Sequence, residues 1–462
     1  MTITQWNKKI NTTGLQSGID ECITSLQSDT HNAIVSITEK TVKDSVSELK
    51  AGTPLYGIPI VIKDNIAVRG ERMTCASRLL ENYVAPYNAT VIDRLKNAGA
   101  VIVAKANMDE FAMGSSSERS AFGPIKNPLN PAYVPGGSSG GSASVVAANY
   151  VPVALGSDTG GSVRQPAAFT GTVGFKPTYG RISRYGLTAF ASSLDQIGPI
   201  TKTVEDTALI YSIIAGHDPK DATTLTETVE TYEELCAQKG RKLTIAVPYA
   251  VLEHVDETIR EDFLEMIALL KKDGHTLVEV DVGFMDYVVP AYYIIAPAEA
   301  SSNLARFDGI RYGARAEGKS KESMVASTRD RGFGDEVKRR CFTGAYVLSS
   351  GYNDQYYKKA LAVKHAVRTE LLKIFEKVDV VAWPTTPQMP FKIGEKTDDI
   401  IYLYMADLFT IPANLAGLPA IAVPMQKRGD FYTSIHFMGK SLAERDVCAA
   451  GFAVEAVRGW SV

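Results

Sequence analysis

Residues 135–180 read PGGSSGGSASVVAANYVPVALGSDTGGSVRQPAAFTGTVGFKPTYG, and this glycine-rich stretch is the most informative part of the sequence. Paired glycines lie on both sides of a predicted helix, residues 143–149, and of a short apolar strand, residues 151–155. A flexible linker would not enclose an apolar helix and strand, so a linker is a poor interpretation. Paired glycines instead allow the backbone to approach a ligand closely. The stretch therefore predicts a ligand-binding or catalytic loop system.

Three known motifs compete for this stretch. A P-loop requires a lysine at a fixed place after its glycines, and residues 136–142 have none there. A dinucleotide-binding fingerprint requires a strand directly before the glycines, but residues 127–135 contain three prolines. Residues 136–140 match the G-x-S-x-G nucleophile elbow, which also needs a preceding strand, a downstream acid and a histidine. Five histidines lie in ordinary sequence surroundings, which are more typical of surface or core residues than of a catalytic base. They are His217, His254, His275, His365 and His436.

A serine nucleophile without histidine remains, and its base would have to be a lysine. Lys63 is the best candidate, because GIPIVIKDN carries an apolar strand, residues 58–62, directly into its ammonium group. Burial disfavours the charged form of a lysine and lowers its pKa, which leaves a neutral amine able to accept a proton. A structural ion pair between Lys63 and the adjacent Asp64 is an equally weighted alternative.

Farther from the glycines, three segments repeat a helix followed by a strand, which predicts the α/β class. They are residues 88–104, 256–280 and 356–384. In the first, we predict Asn88 as the N-cap, Gly99 as the left-handed stop and residues 100–104 as a buried strand. Such units stack helices against a central sheet.

The composition excludes several classes of protein. The chain has 462 residues, 45% of them hydrophobic and 22% charged, with a net charge of −3, as in an ordinary globular protein. A near-neutral charge argues against a protein whose affinity comes from neutralising many phosphates of a duplex. The five cysteines are far apart and form no metal-binding spacing. No apolar run reaches the ~18 to 20 residues that a membrane span requires, so we expect no membrane insertion.

Three strings carry a family resemblance: GIPIVIKDN, PGGSSGGSA and GSDTGGSVRQPAAFTGTVGFKPTYG resemble the signature blocks of the amidase signature family, in order and nearly without gaps. The resemblance implies one large α/β domain, residues 51–462, with a mixed central sheet covered by helices on both sides, after a helical segment, residues 1–50. It also implies a Ser-Ser-Lys triad in which Ser162 is the nucleophile, Ser138 the bridging serine and Lys63 the base. The Gly137–Ser138 peptide should then be cis.

The same resemblance implies an oxyanion hole. Successive backbone N–H groups after the second glycine pair would stabilise the developing negative charge, and each such donor is worth about 3 to 4 kcal/mol in the transition state. The residues concerned are Thr159, Gly160, Gly161 and Ser162. We expect Ser139 and Ser157 to be structural hydroxyls.

Other stretches, among them TYGRISRYGLTAFASSLDQIGPITKTVEDTA and FKIGEKTDDIIYLYMADLFTIPANLAGLPAIAVP, resemble the branch of the family that supplies ammonia to tRNA-dependent amidotransferases. This resemblance covers roughly residues 55–424 and implies hydrolysis of L-glutamine. The matching positions are Arg340 for the α-carboxylate, Asp407 for the α-ammonium and Tyr293 beside the pocket. Arginine can fork onto a carboxylate, and a carboxylate suits an ammonium group.

The resemblance also implies partners. A B subunit would bind tRNA and use ATP and Mg²⁺ to convert Glu-tRNA(Gln) to Gln-tRNA(Gln), and a small third subunit would complete the complex. No metal or cofactor is expected in this chain itself. A free-standing amidase acting on a small amide, and an inactive scaffold for the tRNA-binding partner, are the alternatives.

Two regions depart from the family pattern. The sequence before Gly57 is short and matches weakly, and MQKRGDFYTSIHFMGK after Pro424 replaces the usual glycine-rich ending. The first departure leaves the identity of the third subunit open and suits a mitochondrial matrix protein, with the bacterial cytoplasm as the alternative. The second leaves the carboxy-terminal packing open.

Overall fold

An eleven-stranded sheet runs through the centre of the structure, a computed structural model that describes residues 1–396 and 399–459. The last three residues of the predicted domain lie outside the described residues. The strands are β1 Ile34–Ile37, β2 Pro59–Lys63, β3 Val101–Ala106, β4 Val153–Asp158, β5 Val173–Lys176, β6 Gln196–Thr201, β7 Thr244–Val247, β8 Thr276–Glu279, β9 Val380–Pro384, β10 Ala420–Arg428 and β11 Phe431–Gly439.

Helices flank this sheet along the whole described chain. They are α1 Ile3–Thr13, α2 Leu15–Gln27, α3 Glu39–Glu48, α4 Thr90–Asn97, α5 Gly140–Ala147, α6 Arg164–Thr170, α7 Val204–Ile214, α8 Tyr232–Cys236, α9 Glu257–Lys272, α10 Met285–Asn303, α11 Lys321–Gly332, α12 Asp335–Leu348, α13 Lys358–Ile374, α14 Ile400–Met405, α15 Ile411–Ala416 and α16 Glu444–Val457. None of the helices in the described part of the chain combines the length and apolar character needed to cross a bilayer.

The strand order is β1-β3-β2-β4-β6-β5-β10-β11-β9-β7-β8. Strand β2 pairs in parallel with β3 and β4, and β7 pairs in parallel with β8 and β9. The remaining pairs, including the β10–β11 hairpin, are antiparallel. The predicted mixed α/β sheet is therefore confirmed.

The three predicted helix–strand units are present as α4–β3, α9–β8 and α13–β9. Gly99 has a φ of +92°, as expected of a left-handed stop. Asn88 is not the N-cap, however: that position is Ala89, which makes no side-chain capping bond. Asn88 instead accepts a hydrogen bond from the backbone N–H of Arg69 at 2.7 Å, because its side chain serves a tertiary contact rather than the helix end.

The amino-terminal segment and the described part of the carboxy-terminal region both belong to this architecture. Besides α1, α2 and α3, residues 1–50 contain β1, which pairs antiparallel with β3 at the edge of the sheet. The buried indole of Trp6 donates to the Gly57 carbonyl at 3.0 Å and ties the segment to the start of β2. The divergent sequence after Pro424 forms the β10–β11 hairpin, which pairs with β5 on one side and β9 on the other.

The parallel pair β2 and β4 determines where chemistry can occur. Ile62 of β2 is in register with Leu155 of β4, so the carboxyl ends of both strands reach the same edge of the sheet. Lys63 is the last residue of β2, and Asp158 is the last residue of β4. Loops that follow the carboxyl ends of parallel strands are the usual place for ligand sites in α/β sheets.

Candidate active site

Lys63 is completely buried, and its Nζ atom lies among hydroxyl groups. It is 2.7 Å from Oγ of Ser138, 2.8 Å from Oγ of Ser139 and 3.3 Å from the carbonyl oxygen of Ser157. Burial lowers the pKa of the Lys63 amine from its usual value to about 7, although nearby carboxylates oppose the shift. A substantial fraction of the amine is therefore neutral at neutral pH, as a proton acceptor requires.

The alternative ion pair between Lys63 and Asp64 does not form. Asp64 instead lies 3.3 Å from Nζ of Lys105, another buried lysine, and accepts from the backbone N–H of Thr74 at 2.9 Å. Successive residues of an extended strand point to opposite faces, so neighbours in sequence are directed apart. The structure therefore favours the functional interpretation of Lys63 over the structural ion pair.

Ser138 begins the turn that leads into α5. The Gly137–Ser138 peptide bond is cis, as the resemblance implies. The Gly137 N–H donates to Oε1 of Gln165 at 2.9 Å, and the Ser139 N–H donates to the carbonyl of Ser162 at 3.1 Å. These bonds hold the Ser138 turn directly against the loop that carries Ser162. Ser162 retains 9% exposure, whereas Ser138 has none, so of the two serines it is Ser162 that solvent can reach.

Asp158 shapes the loop that connects β4 to α6. Its carboxylate accepts from the N–H groups of Gly161 at 3.0 Å and Val163 at 3.1 Å, and it is paired with Arg164 at 2.8 Å. Burial alone would raise the pKa of Asp158, but the Arg164 guanidinium outweighs it and holds the pKa well below its usual range. An ionised carboxylate thus fixes the backbone on both sides of Ser162.

Glycine is required at two positions of this loop. A Cβ atom on Gly160 would lie 2.6 Å from the ring of Tyr292, and one on Gly161 would overlap the Thr410 hydroxyl. Gly161 also has a φ of +141°, which side-chain-bearing residues rarely adopt. Steric packing around the loop therefore explains the glycine pair that the sequence made conspicuous.

The four backbone N–H groups predicted to form the oxyanion hole are not equivalent. The Gly161 N–H is already engaged with Asp158. Within residues 1–396 and 399–459, the N–H groups of Thr159, Gly160 and Ser162 have no protein acceptor. The Thr159 side chain is held by Asp195, to which its hydroxyl donates at 2.7 Å. Thr159, Gly160 and Ser162 therefore have the N–H groups that a developing oxyanion could use.

Tyr293, Arg340 and Asp407, predicted to bind substrate, come together although they lie far apart in sequence. The hydroxyl of Tyr293 donates to Oδ2 of Asp407 at 3.4 Å, and the Arg340 guanidinium carbon lies 5.3 Å from the centre of the Tyr293 ring. Tyr293 also stacks on Tyr404 at 3.4 Å. Arg340 is buried, not part of a solvated helix face. The structure thus places the Arg340 guanidinium and the Asp407 carboxylate beside the same pair of stacked tyrosine rings.

Asp407 is connected to the serine loop through its own turn. The hydroxyl of Thr410 donates to the carbonyl of Gly160 at 2.7 Å and to that of Asp407 at 3.1 Å. Burial raises the pKa of Asp407 to about 7, against the opposing effects of Ser115 and Arg340. An ammonium group bound beside this carboxylate would favour its ionised form.

Several contact residues were missed by the sequence analysis. The Ser115 hydroxyl donates to Asp407 at 2.6 Å, and Glu336 accepts from Nε of Arg340 at 2.6 Å. Glu336 lies four residues before Arg340 on α12, a spacing that could have indicated the pair. Ser115 has no comparable sequence signal. Among the described residues, no group of three or more His, Cys, Asp or Glu side chains could hold a metal ion.

The comparisons with known proteins agree on one family. A family model described as Amidase matches residues 20–448. Over 400 residues the chain is 52% identical to the A subunit of glutamyl-tRNA(Gln) amidotransferase from Sulfurihydrogenibium sp. (strain YO3AOP1), covering 86% of this chain and 82% of that protein. The crystal structure of the A subunit of glutamyl-tRNA(Gln) amidotransferase from Thermotoga maritima matches with a TM-score of 0.83 and 43% identity, covering 97% of this chain and 93% of that one.

A more distant match shows only the shared fold. A bacterial aryl acylamidase of the amidase signature family matches with a TM-score of 0.84 at 22% identity, covering 100% of this chain and 96% of that one. The family match over most of the sequence and the 52% identity to a relative over 86% of the chain carry more weight. On these grounds the chain belongs to the amidase signature family.

Proposed function

We propose that this chain hydrolyses L-glutamine as the A subunit of a tRNA-dependent amidotransferase. The observation that carries the proposal is the buried Lys63 amine, which has a pKa of about 7 and lies 2.7 Å from the Ser138 hydroxyl, beside the loop of Ser162. The 52% identity to the A subunit of a glutamyl-tRNA(Gln) amidotransferase supports glutamine as the amide.

The proposed chemistry is a proton relay followed by acyl transfer. Neutral Lys63 accepts the proton of Ser138, Ser138 accepts that of Ser162, and Ser162 Oγ attacks the side-chain carbonyl of glutamine. The N–H groups of Gly160 and Ser162, with that of Thr159, stabilise the oxyanion. The relay then returns a proton to the leaving nitrogen, which departs as ammonia. Water hydrolyses the γ-glutamyl ester on Ser162 and releases glutamate.

The charges beside Tyr293 support an α-amino acid as substrate. Arg340 would bind the α-carboxylate and Asp407 the α-ammonium, with the Tyr293 hydroxyl already in contact with Asp407. A small aryl or fatty amide carries neither charge. Arg340, already paired with Glu336, and Asp407 would then gain no polar partner from an apolar ligand. This argument favours glutamine over the alternative of a free-standing amidase.

The partners are part of the proposal. Ammonia would pass to a B subunit that binds tRNA and uses ATP and Mg²⁺ to convert Glu-tRNA(Gln) to Gln-tRNA(Gln), and a small third subunit would complete a heterotrimer. No cofactor is proposed for this chain. The named relatives are bacterial, which favours the bacterial cytoplasm over the mitochondrial matrix.

Replacing the nucleophile tests the proposal most directly. In the complex with its partner subunits, Ser162→Ala should abolish glutamine-dependent transamidation, whereas added ammonium salt should still support it. Ser144→Ala is the matched control, because Ser144 is a buried serine of α5 whose hydroxyl, within the described part of the chain, donates to the Lys126 carbonyl and not to the site. Loss of both activities in Ser162→Ala would contradict a role limited to ammonia supply. Full-rate hydrolysis of aryl or fatty amides by the isolated chain would support the free-standing amidase.

A further inference from the structure

The guanidinium of Arg164 connects the two parts of the candidate active site. Its Nε and Nη2 atoms donate to Asp158 at 3.0 and 2.8 Å, and Nη2 also donates to Oδ1 of Asn414 at 2.7 Å. Its Nη1 atom donates to the Thr410 carbonyl at 2.9 Å and lies 2.8 Å from Nε2 of His436. A guanidinium has five N–H groups, so each donor of this fully buried side chain has an acceptor.

Two loops depend on this arrangement. Asp158 holds the backbone N–H groups of Gly161 and Val163, on either side of the nucleophile. Thr410 belongs to the turn of Asp407 and donates its hydroxyl to the Gly160 carbonyl at 2.7 Å. Arg164 therefore fixes the serine loop relative to the turn that carries the proposed ammonium-binding carboxylate.

Of the residues that accept hydrogen bonds from Arg164, His436 is the farthest from it in sequence. It lies in β11, is fully buried, and is paired across the sheet with Ala422 and Trp383. A guanidinium cannot accept a hydrogen bond, so Nε2 of His436 must be the acceptor and the ring must be neutral, with its proton on Nδ1.

The charges around the ring maintain that neutral state. Arg164 from α6 and Lys176 from β5 disfavour an imidazolium, and Asp158 from β4 opposes them. Burial and Arg164 hold the pKa of His436 well below its usual value. The indole N–H of Trp383 lies 2.8 Å from Nδ1 and 2.9 Å from the Phe409 carbonyl. Because Nδ1 carries the proton of the neutral ring, the Phe409 carbonyl is the acceptor of the indole.

We propose that His436 is a positioning residue for acyl transfer: as an uncharged acceptor it completes the coordination of Arg164 and so holds the serine loop and the Asp407 turn in register. The inference rests on the proposed function for the identity of the substrate. It assigns a role to a histidine that does not contact the reacting atoms. An acceptor is required at this position, and a cation is excluded.

The test compares His436→Leu with His436→Gln in the full chain, within the complex that it forms. Leucine leaves one Arg164 N–H without an acceptor, and we expect kcat for glutamine hydrolysis per active site to fall about tenfold. Glutamine offers a neutral oxygen acceptor of similar reach and should retain most of the activity. Active sites are counted by labelling Ser162 with an electrophilic glutamine analogue, so that misfolded protein does not enter the rate.

Trp383→Phe is the matched control. It alters the same buried layer and removes the indole N–H beside Nδ1, but it keeps Nε2 of His436 as the acceptor for Arg164. The thermal midpoint should therefore fall while kcat per labelled site stays within about twofold. An equal loss of kcat in Trp383→Phe and His436→Leu would show that packing alone is responsible and would overturn the proposal. So would an unchanged kcat in His436→Leu, or a His436→Gln variant as slow as the leucine variant.

The wild-type protein separates the two proposals. Failure of the glutamine analogue to label wild-type Ser162 would contradict the proposed function. Normal labelling of the wild type with equal labelling rate constants in His436→Leu and His436→Gln would contradict only the role of His436.

Discussion

Lys63 and Lys176 are both completely buried lysines whose pKa falls to about 7, yet their surroundings differ in kind. Burial is the largest cause of the lowered pKa for both, and Arg164 adds to it for Lys176. The Lys63 amine lies against hydroxyl groups, which can give up a proton. The Lys176 amine donates to the Pro177 carbonyl at 2.8 Å, which has no proton to give. A lowered pKa therefore makes a base only where the neighbouring group can pass on a proton.

The largest effect is expected from exchanging each lysine for methionine, which has a similar length and no charge. Lys63→Met removes the proton acceptor, so glutamine hydrolysis should fall about 10³-fold. Lys176→Met removes a buried amine that no reacting group contacts, so kcat should stay within about twofold. Steady-state glutaminase rates of the two variants in the complex provide the measurement. A comparable loss in Lys176→Met would show that buried charge, and not the hydroxyl partner, determines activity.

The next effect concerns Asp407, whose raised pKa of about 7 coincides with that of Lys63. Binding of the α-ammonium needs an ionised Asp407, and catalysis needs a neutral Lys63. Both groups must therefore lose a proton, and log(kcat/KM) for glutamine should fall with a slope of two below about pH 6. In Asp407→Asn the slope should become one, and kcat/KM at about pH 8 should fall about 10²-fold because the ammonium loses its charged partner.

Glutaramate, which is glutamine without its α-amino group, provides the control for this prediction. It has no ammonium for Asp407 to bind, so wild type and Asp407→Asn should hydrolyse it with similar kcat/KM. A slope of one in the wild type, or an equal loss for glutamine and glutaramate in the variant, would show that Asp407 does not bind the ammonium group.

Much of this comparison could be predicted from the sequence, because its signals are local. An apolar strand that ends in a lysine predicts burial of the amine, and GIPIVIKDN indicated Lys63 on that ground alone. Helices that alternate with strands indicated the α/β class, since helical and strand periodicities are visible within about 20 residues. The roles of Ser138 and Ser162, in contrast, came from the family resemblance and not from spacing.

Contacts between distant parts of the chain were beyond sequence reasoning. No sequence pattern distinguishes His436 from an ordinary histidine, but it lies 2.8 Å from Arg164, a residue 272 positions earlier. Lys63 and Asp64 suggested an ion pair because they are adjacent, yet the strand directs them apart and Asp64 pairs with Lys105. Asn88 looked like an N-cap because its residue type suits one, but its side-chain oxygen accepts from the backbone N–H of Arg69. In each case tertiary packing overrides a local preference.

The smallest expected effect is on the pH dependence of the unfolding free energy, to which Lys63 and Lys176 should contribute alike. Each has a pKa near 7 in the folded protein and about 10.4 when unfolded, so between these values the unfolded chain binds one more proton per lysine. The contribution of each lysine to the free energy of unfolding therefore rises with pH in this window, by about 1.4 kcal/mol per pH unit. It is lost again as the pH falls toward 7. Lys63→Met and Lys176→Met should each lower the pH slope of the unfolding free energy by that amount.

Denaturant unfolding of wild type and both variants at about pH 7.5, 8.5 and 9.5 provides this measurement. Equal changes of slope would show that protonating either buried amine costs the same free energy. Unequal changes of kcat in the same variants would show that only Lys63, with its hydroxyl neighbours, takes part in proton transfer. An unchanged slope in Lys63→Met would mean that the amine keeps its proton in the folded state, because only a group that changes its proton occupancy on unfolding can contribute to the slope. The relay through Ser138 would then have no acceptor.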